Sequence, residues 1–564
     1  MKQLTNDNAA NRASYIGSVY NVGEKVIKEE LLASFPSKWS DLYRKGYIHI
    51  HDLDAYGKTY NCLTFDILSS FPYEAFKGLS DTAIIIRLFG YFKTMFADMG
   101  NEQSGGMAFA NFDNDLEEIL RKLNVKDNLQ NRELIASCIG DFILWCNNTH
   151  TRMGQTSYYI TLNIGLAHND LARFIAYSVI DEFEKCGETV YKPNIVFKVS
   201  AGVNRCEGER NFDLYKKALL CTARKMIPTY LLCDCESDRN TPAEKLSVMG
   251  CRTRVVDDIY GCTGAVGRGN IANISINLPR LALETDQTCG DQKMAEKVLC
   301  FKKKWLEIAD ATTEILLDRY RITAGLSSED FPSNIARQMW CVPFGTPNDV
   351  FKHGTLSIGF IGLSEAMEVL TGSRFYASEE AYTIALDFVK FMREYCDRQR
   401  DKYHFSFSLL ATSGELISGR FSEIDRTMFH PSCDIFSKGF YTNSFHVNVD
   451  SGIPAREKLR KEGAFHIYCN GGSISYVELG EAPIGNDEGI RELVEEGIQA
   501  GVRYLGINFP KDICKSCGTS GVFDGCPVCG SKDITRIRRV SGYLEILEGF
   551  TSGKKHEVKT RTTN

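Results

Sequence analysis

No stretch of this 564-residue chain is an uninterrupted apolar run long enough to cross a bilayer. The opening Met-Lys-Gln-Leu-Thr-Asn-Asp-Asn is polar and lacks the apolar core of a signal peptide. Both absences lead to the expectation of a cytoplasmic protein with no membrane partner. No internal repeat or low-complexity block occurs, so repeat architectures are excluded. Excess positive charge is lacking too. A formal net charge of −6 argues against a protein built mainly to coat nucleic acid. No Cys-x-x-x-Cys-x-x-Cys run is present, so the chain carries no iron–sulfur signature of its own, and no two cysteines are adjacent anywhere.

What is present begins with size and pattern. An apolar fraction of 43% over this length can bury a large core. Helix and strand signals alternate, which argues for an α/β architecture with parallel sheet. Val298, Phe301, Trp305, Ile308 and Ile315 recur at helical spacing. Residues 194–199 and 474–478 read as short strands rich in β-branched and aromatic residues. Twenty cysteines in a cytoplasmic chain imply reduced thiols, a subset of them serving chemistry or metal. Cys138, Cys146, Cys221 and Cys300, in apolar surroundings, fit the role of small buried hydrophobes.

Four cysteines stand apart. Cys514, Cys517, Cys526 and Cys529 form two Cys-x-x-Cys-Gly knuckles separated by the eight residues Gly518 to Gly525. Four thiolates with no open position are what a tetrahedral structural Zn²⁺ site needs. Arg536, Arg538, Arg539, Lys554, Lys555 and Lys559 lie nearby, so a nucleic-acid-binding zinc ribbon is the serious rival reading.

Shortly after the ribbon comes Arg539-Val540-Ser541-Gly542-Tyr543-Leu544. Alone, Ser-Gly-Tyr is a turn. A glycine can also flatten around Cα and approach other backbone closely. A radical on Gly542 would be delocalised between the flanking amide nitrogen and carbonyl. A glycine so placed after a zinc ribbon, near the end of a long chain, resembles the anaerobic, class III ribonucleotide reductases, a glycyl radical enzyme family. Further segments carry the resemblance in order: Asn6-Asp7-Asn8-Ala9, residues 47–54, Asn61-Cys62, residues 152–156, residues 162–165, Met249-Gly250-Cys251-Arg252, residues 267–271, residues 275–280, residues 353–363 and residues 441–446.

The resemblance implies a ten-stranded α/β barrel of two parallel half-barrels with an internal finger loop, followed by a small C-terminal zinc ribbon and radical loop. The boundary is expected near Gly501 to Asn508, ahead of the ribbon, giving units 1–500 and 501–564, with no room for an N-terminal ATP-cone. It implies reduction of ribonucleoside triphosphates to 2′-deoxyribonucleotides. Gly542 would store the radical and Cys251 would be the thiyl on the finger loop. Cys62 would face the substrate from the other side, and Asn270 would contact substrate and, in formate users, the reductant. A separate activating enzyme with S-adenosylmethionine and a [4Fe-4S] cluster would generate the radical. The activated form would be oxygen-sensitive, with cleavage at Gly542. The reductant, formate or a redoxin dithiol, stays open, as does the reading of Cys233 and Cys235 as a redox pair. A homodimer with dNTP or ATP effectors at a specificity site is also implied.

Arg252 and His51 could aid phosphate binding or proton transfer, with salt-bridged or structural roles as the plainer alternative. One segment departs from the family pattern. Ala-Thr-Pro-Ala-Glu is usual, whereas here the chain reads Ala411-Thr412-Ser413-Gly414-Glu415. Losing the proline restores a backbone donor, and hydroxyl and backbone donors could still cradle phosphates.

Other readings stand beside this one. Relatives of pyruvate formate-lyase need adjacent cysteines. Glycyl radical lyases and decarboxylases pair their cysteine with a glutamate two residues on, where this chain has Thr253. A non-catalytic zinc-ribbon nucleic-acid binder would show salt-sensitive binding. A radical-dead relative would not need Gly542, Cys251 and Cys62 together.

Overall fold

A computed structural model describes residues 15–150, 158–255, 258–430 and 433–564. The segments 6–9 and 152–156 singled out in the sequence lie outside the described residues. The main sheet contains β1 (Cys62–Phe65), β2 (Met107–Phe109), β3 (Ile160–Ile164), β4 (Asn194–Val199) and β5 (Thr229–Leu232). It continues with β6 (Arg268–Asn277), β7 (Thr355–Ile361), β8 (Phe407–Ala411), β9 (Ser475–Glu478) and β10 (Tyr504–Asn508). Their order is β9-β10-β5-β4-β3-β2-β1-β6-β7-β8. A parallel bridge from Leu410 in β8 to Gly472, just ahead of β9, closes the ring.

Strands β1 to β5 are mutually parallel. So are β6 to β8, and β9 with β10. The two sets meet antiparallel at β1–β6 and at β10–β5. The expected barrel of two parallel half-barrels is borne out. Every residue of these ten strands is buried, as parallel strands covered on both faces must be. Helices capped by side chains form the outer cover. Ser80, Asn128, Asn169 and Ser378 each accept a backbone N–H at the start of Asp81–Met99, Leu129–Asn148, Asp170–Lys185 and Glu379–Tyr403. The helical spacing around Trp305 belongs to the helix Met294–Ala324, which buries Phe301, Trp305, Ile308 and Ile315.

The chain between β5 and β6 links the half-barrels, and residues 246–255 of it, buried or half-buried, reach into the interior. Both halves grip the loop's tip. Thr161 of β3 and Asn194 of β4 donate to the Gly250 carbonyl at 3.3 and 3.2 Å. On the other half, the Arg254 amide donates to Gly471 O at 3.0 Å.

A second sheet follows, made of β11 (Lys511–Cys514), β12 (Ser520–Gly521), β13 (Ile534–Val540) and β14 (Tyr543–Ile546). Its order is β12-β11-β13-β14, antiparallel throughout. The expected division at 501 therefore falls one strand early. Residues 504–508 belong to the barrel, where β10 pairs with β9 and β5.

One buried ion pair ties distant segments of the half-barrel together. Arg280 Nη1 lies 2.8 Å from Asp425 Oδ1, and the guanidinium is held between the rings of Tyr47 and Phe429. Asn277 and Tyr441 each donate to Asp425 Oδ2 at 2.9 Å. Asp425→Ala would leave the buried Arg280 with only the half-buried Glu284, 3.2 Å from its Nε, and take the shared acceptor from Asn277 and Tyr441. It should therefore cost about 3–5 kcal/mol in denaturant unfolding. A loss below about 1 kcal/mol, the range of an exposed pair, would contradict this account.

Candidate active site

The finger-loop tip, the barrel strands and the β13–β14 hairpin converge on one cavity of about 90 Å³. Cys62 at the start of β1 and Cys251 at the tip both line it, together with Arg252, Thr253, Glu415 and Tyr543. The approach is tight. A Cβ on Gly106 would fall 2.4 Å from the amide of Gly250, and one on Gly105 would fall 2.6 Å from Cys62 Sγ. Only a glycine pair lets the tip sit this low in the barrel.

Gly542 lies against Cys251 from behind. Val540 pairs with Tyr543, so Ser541 and Gly542 form a two-residue hairpin turn with φ of 43° and 131°. Such turns call for positive φ at both central positions. The turn reading of Ser-Gly-Tyr is therefore correct as geometry, and the turn is aimed at a cysteine. A Cβ on residue 542 would lie 2.1 Å from Cys251 Cβ and 2.6 Å from its Cα. The turn is braced from the sheet. The buried Arg539 donates to Asn508 Oδ1 at 2.7 Å, to Gly542 O at 3.5 Å and to Met226 O. Asn443 donates to Ser541 Oγ at 3.3 Å, and the ring of Tyr543 packs 5.1 Å from that of Tyr159.

Electrostatics around the two thiols favour the protonated form. Burial pushes Cys62 up to about 12, against the opposing Gly106 N–H, which donates to Sγ at 3.1 Å. Cys62 in turn donates to Asn61 Oδ1 at 2.8 Å. Burial also raises Cys251, while the adjoining Arg252, whose Nη1 donates to Sγ at 2.6 Å, pulls the other way. Both groups thus remain S–H near neutrality, the form from which a hydrogen atom can be taken. Glu415 is pushed up to about 7 by burial, against the pull of Lys554 and Arg252.

The other sequence-derived candidates fall as follows. Asn270 sits directly opposite Cys62 in the seam between half-barrels. Its side-chain NH2 is spent on the barrel wall, donating to Thr355 O, Thr355 Oγ1 and Ser357 Oγ at 3.1, 3.0 and 2.8 Å, while its buried Oδ1 makes no hydrogen bond within the protein. Asn273 lines the cavity in its stead. The pairing of β6 with β7 slips between Asn270 and Ala272. That bulge reverses the alternation of faces and turns Asn273 inward. His51 and Arg252 both line the cavity; His51 Nε2 is 2.8 Å from Ser275 Oγ. Cys233 and Cys235 are buried, each bonded to its own carbonyl, Leu231 O and Val502 O, and burial pushes both up to about 12. Cys146 and Cys221 are buried; Cys138 and Cys300 are half-buried.

Sequence reasoning gave no role to Tyr159, Asn273, Glu415 or Tyr543. Tyr543 and Glu415 lay inside segments already singled out, so position within a motif was the available signal. Buried side-chain atoms of Tyr159, Asn273, Ser413 and Glu415 make no hydrogen bond within the protein. Orphaned polar atoms of this kind around one cavity mark it as built for a polar ligand. The Ser413-Gly414 departure also has a local cause. A Cβ at 414 would fall 2.1 Å from Ile417 Cγ1, and the Gly414 amide donates to Asn443 Oδ1 at 3.0 Å.

The four ribbon cysteines come together at the end of β11. Cys514 and Cys529 sulfurs stand 3.5 Å apart, as do those of Cys517 and Cys526, and all four lie within 4.8 Å of one another. A tetrahedral ion about 2.3 Å from each sulfur calls for separations of about 3.8 Å. The set fits Zn²⁺.

The family model of anaerobic ribonucleoside-triphosphate reductase matches residues 7–563. The chain belongs to that family. It is 29% identical over 571 residues to the anaerobic ribonucleoside-triphosphate reductase of Escherichia coli, covering 92% of this chain and 77% of the relative. With the enzyme of that name from Enterobacteria phage T4 it shares 26% identity over 612 residues, covering 99% and 97%. A solved anaerobic ribonucleotide reductase superposes with a TM-score of 0.72 at 16% identity, covering 97% of this chain and 88% of the other. The Thermotoga maritima enzyme, in complex with dATP and CTP, gives 0.69 at 16%, covering 96% and 90%. Among the described residues no helix is long and apolar enough to cross a membrane.

In this reductase the ribbon joins the hairpin through β13, whose Ile534 pairs with Cys514 and whose far end carries the turn. The metal would lie about 26 Å from Gly542 along the strand, too far for chemistry and well placed for rigidity. Cys526→Ser should lower zinc from about one per chain toward none and open residues 511–546 to protease. The thermal transition of the barrel should be unchanged. Retained zinc, or an unaltered digestion pattern, would refute the assignment.

Proposed function

We propose that this chain reduces ribonucleoside triphosphates to 2′-deoxyribonucleoside triphosphates by a radical relay from Gly542 through Cys251. The observation that carries the reading is the van der Waals packing of Gly542 on Cys251, with Cys62 facing Cys251 in the same cavity. A separate activating enzyme, using S-adenosylmethionine and an iron–sulfur cluster, takes one hydrogen atom from the Gly542 α-carbon. Zinc, when bound, is structural and holds the ribbon that carries the hairpin.

The Cys251 S–H bond then breaks as its hydrogen atom passes to Gly542. The resulting thiyl takes the 3′-hydrogen of the bound ribose, re-forming S–H. Glu415 accepts the 3′-hydroxyl proton while the 2′-hydroxyl leaves as water with a second proton. Cys62 supplies a hydrogen atom to C2′ from the opposite side, and the proton on Glu415 returns to the 3′-oxygen. Cys251 returns its hydrogen atom to C3′, which regenerates the thiyl and then the Gly542 radical. Two electrons in all replace the hydroxyl by hydrogen, and they come from formate or from a redoxin dithiol. Asn270 serves by positioning, since its amide orders the hydroxyls of Thr355 and Ser357. Nucleotide effectors at a specificity site of a homodimer belong to this reading. The T. maritima relative in complex with dATP and CTP supports it.

Anaerobic activation should give an EPR doublet in the wild type and none in Gly542→Ala, where the added methyl also collides with Cys251. Cys251→Ala should keep the doublet and form no deoxyribonucleotide. A doublet in Gly542→Ala, or turnover in Cys251→Ala, would sink the relay.

As a base, Glu415 must be ionised. Because burial raises it to about 7, kcat should rise with pH through about 7. Glu415→Gln should lower kcat roughly 10²-fold and flatten that limb. A profile unchanged in the variant would remove Glu415 from the proton path.

A further inference from the structure

Away from the cavity, a second cluster of reactive side chains forms where the finger loop rejoins the barrel. Cys262, on the return limb of the loop, and Cys341, in the segment ahead of β7, have their sulfurs 2.7 Å apart. Backbone contact fixes the approach. The Cys341 amide donates to Gly267 O at 2.8 Å, and a Cβ on Gly267 would fall 2.2 Å from Cys341 N. A ring nitrogen of His353 lies within 4.8 Å of both sulfurs, a span that one bridging water covers. Asp258 organises the group. Its Oδ2 accepts from His353 Nδ1 at 2.8 Å and from the Cys262 amide at 3.0 Å, and its Oδ1 accepts from the Tyr260 amide at 2.9 Å. With Nδ1 held by the carboxylate, Nε2 is left to exchange a proton. Both cysteines are half-buried, within reach of a small reagent.

Two thiols and an imidazole also describe a metal site, and the spacing decides between the readings. Ligation of one Zn²⁺ needs sulfurs about 3.8 Å apart, and a disulfide needs them about 2.05 Å apart. The ribbon pairs stand at 3.5 Å; Cys262 and Cys341 are nearer the bonded spacing. The cluster also differs from the other close pair. Cys289 and Cys300 have sulfurs 2.8 Å apart, with Thr288 as their hydrogen-bonding neighbour rather than a histidine.

We propose that Cys262 and Cys341 are a thiol–disulfide exchange site, with His353 as its base and Asp258 as the residue that positions that base. The co-reactant is a small-molecule disulfide. His353 takes the proton of one thiol, and the thiolate attacks the external disulfide. One sulfur–sulfur bond forms as the other breaks, and the departing thiolate takes the proton back. The second cysteine then attacks the mixed disulfide and expels the other half as a thiol. The protein pair loses two electrons, and the external disulfide becomes two thiols. The product bond ties the return limb of the loop bearing Cys251 to the segment that leads into β7.

The test uses the reduced, zinc-replete full chain, without activation, exposed to 2-hydroxyethyl disulfide. Samples are quenched in acid, alkylated and digested unreduced, and linked peptides are followed by mass spectrometry. The peptide pair joining Cys262 to Cys341 should accumulate ahead of the one joining Cys289 to Cys300. His353→Gln should slow the first roughly tenfold or more and leave the second unchanged, which also reports an intact fold. Asp258→Asn should slow the first by a smaller factor. Equal rates at the two pairs, an unslowed His353→Gln, or a second zinc per chain that Cys341→Ser removes would each overturn the proposal.

Discussion

A side chain at residue 542 would occupy space that Cys251 already fills, and much of the architecture exists to bring these two residues that close. The turn needs backbone dihedrals that other residues resist, so glycine is demanded by conformation as well as by space. Arg539 reaches from the adjoining strand to the barrel and holds the turn against it. From inside, the finger loop meets the same point, its tip held by Thr161 and Asn194 through the Gly250 carbonyl. Gly105 and Gly106 clear the path. The contact is thus over-determined from both sides, as hydrogen-atom transfer over a short distance requires.

Burial does more here than stabilise. A thiol in water loses its proton readily enough to act as a nucleophile. Cys62, shut away from solvent, and Cys251, half-buried against the cavity, hold theirs. The same desolvation lifts Glu415 into the range where a carboxylate exchanges protons near neutrality. One physical cause therefore suits two thiols to hydrogen-atom chemistry and a carboxylate to proton chemistry.

Local patterns survived the passage from sequence to structure better than distant ones. The knuckle spacing of the four cysteines, the helix around Trp305 and the strands at 194–199 and 475–478 depend on neighbours in the chain, and all were legible. Ordered motifs also pointed to the barrel before its strand pairing was visible. The β6 bulge was hidden, because it arises only when β6 is laid against β7, and it is what brings Asn273 to the cavity face. The boundary at 501 missed β10 for a related reason. That strand is short, and its partners β9 and β5 come from opposite half-barrels. The meeting of Glu415 with Cys251 and Tyr543 in one cavity needs segments more than a hundred residues apart in the chain, which no local signal encodes.

The placement of Gly542 within its hairpin has a consequence for how oxidative damage would look. A backbone break there severs Tyr543–Asn564 covalently, yet that piece is pinned along its length. β14 stays paired with β13, Thr551 Oγ1 donates to Glu415 O at 2.7 Å, and the Thr562 amide donates to Val449 O at 2.8 Å. At Asn564, the amide and the side-chain oxygen both engage the backbone of Glu478. A nicked molecule would keep its shape, its native mass and its hydrodynamic radius, and would separate into two pieces only on denaturation. Inactivated enzyme would then pass through a sizing column as though it were whole.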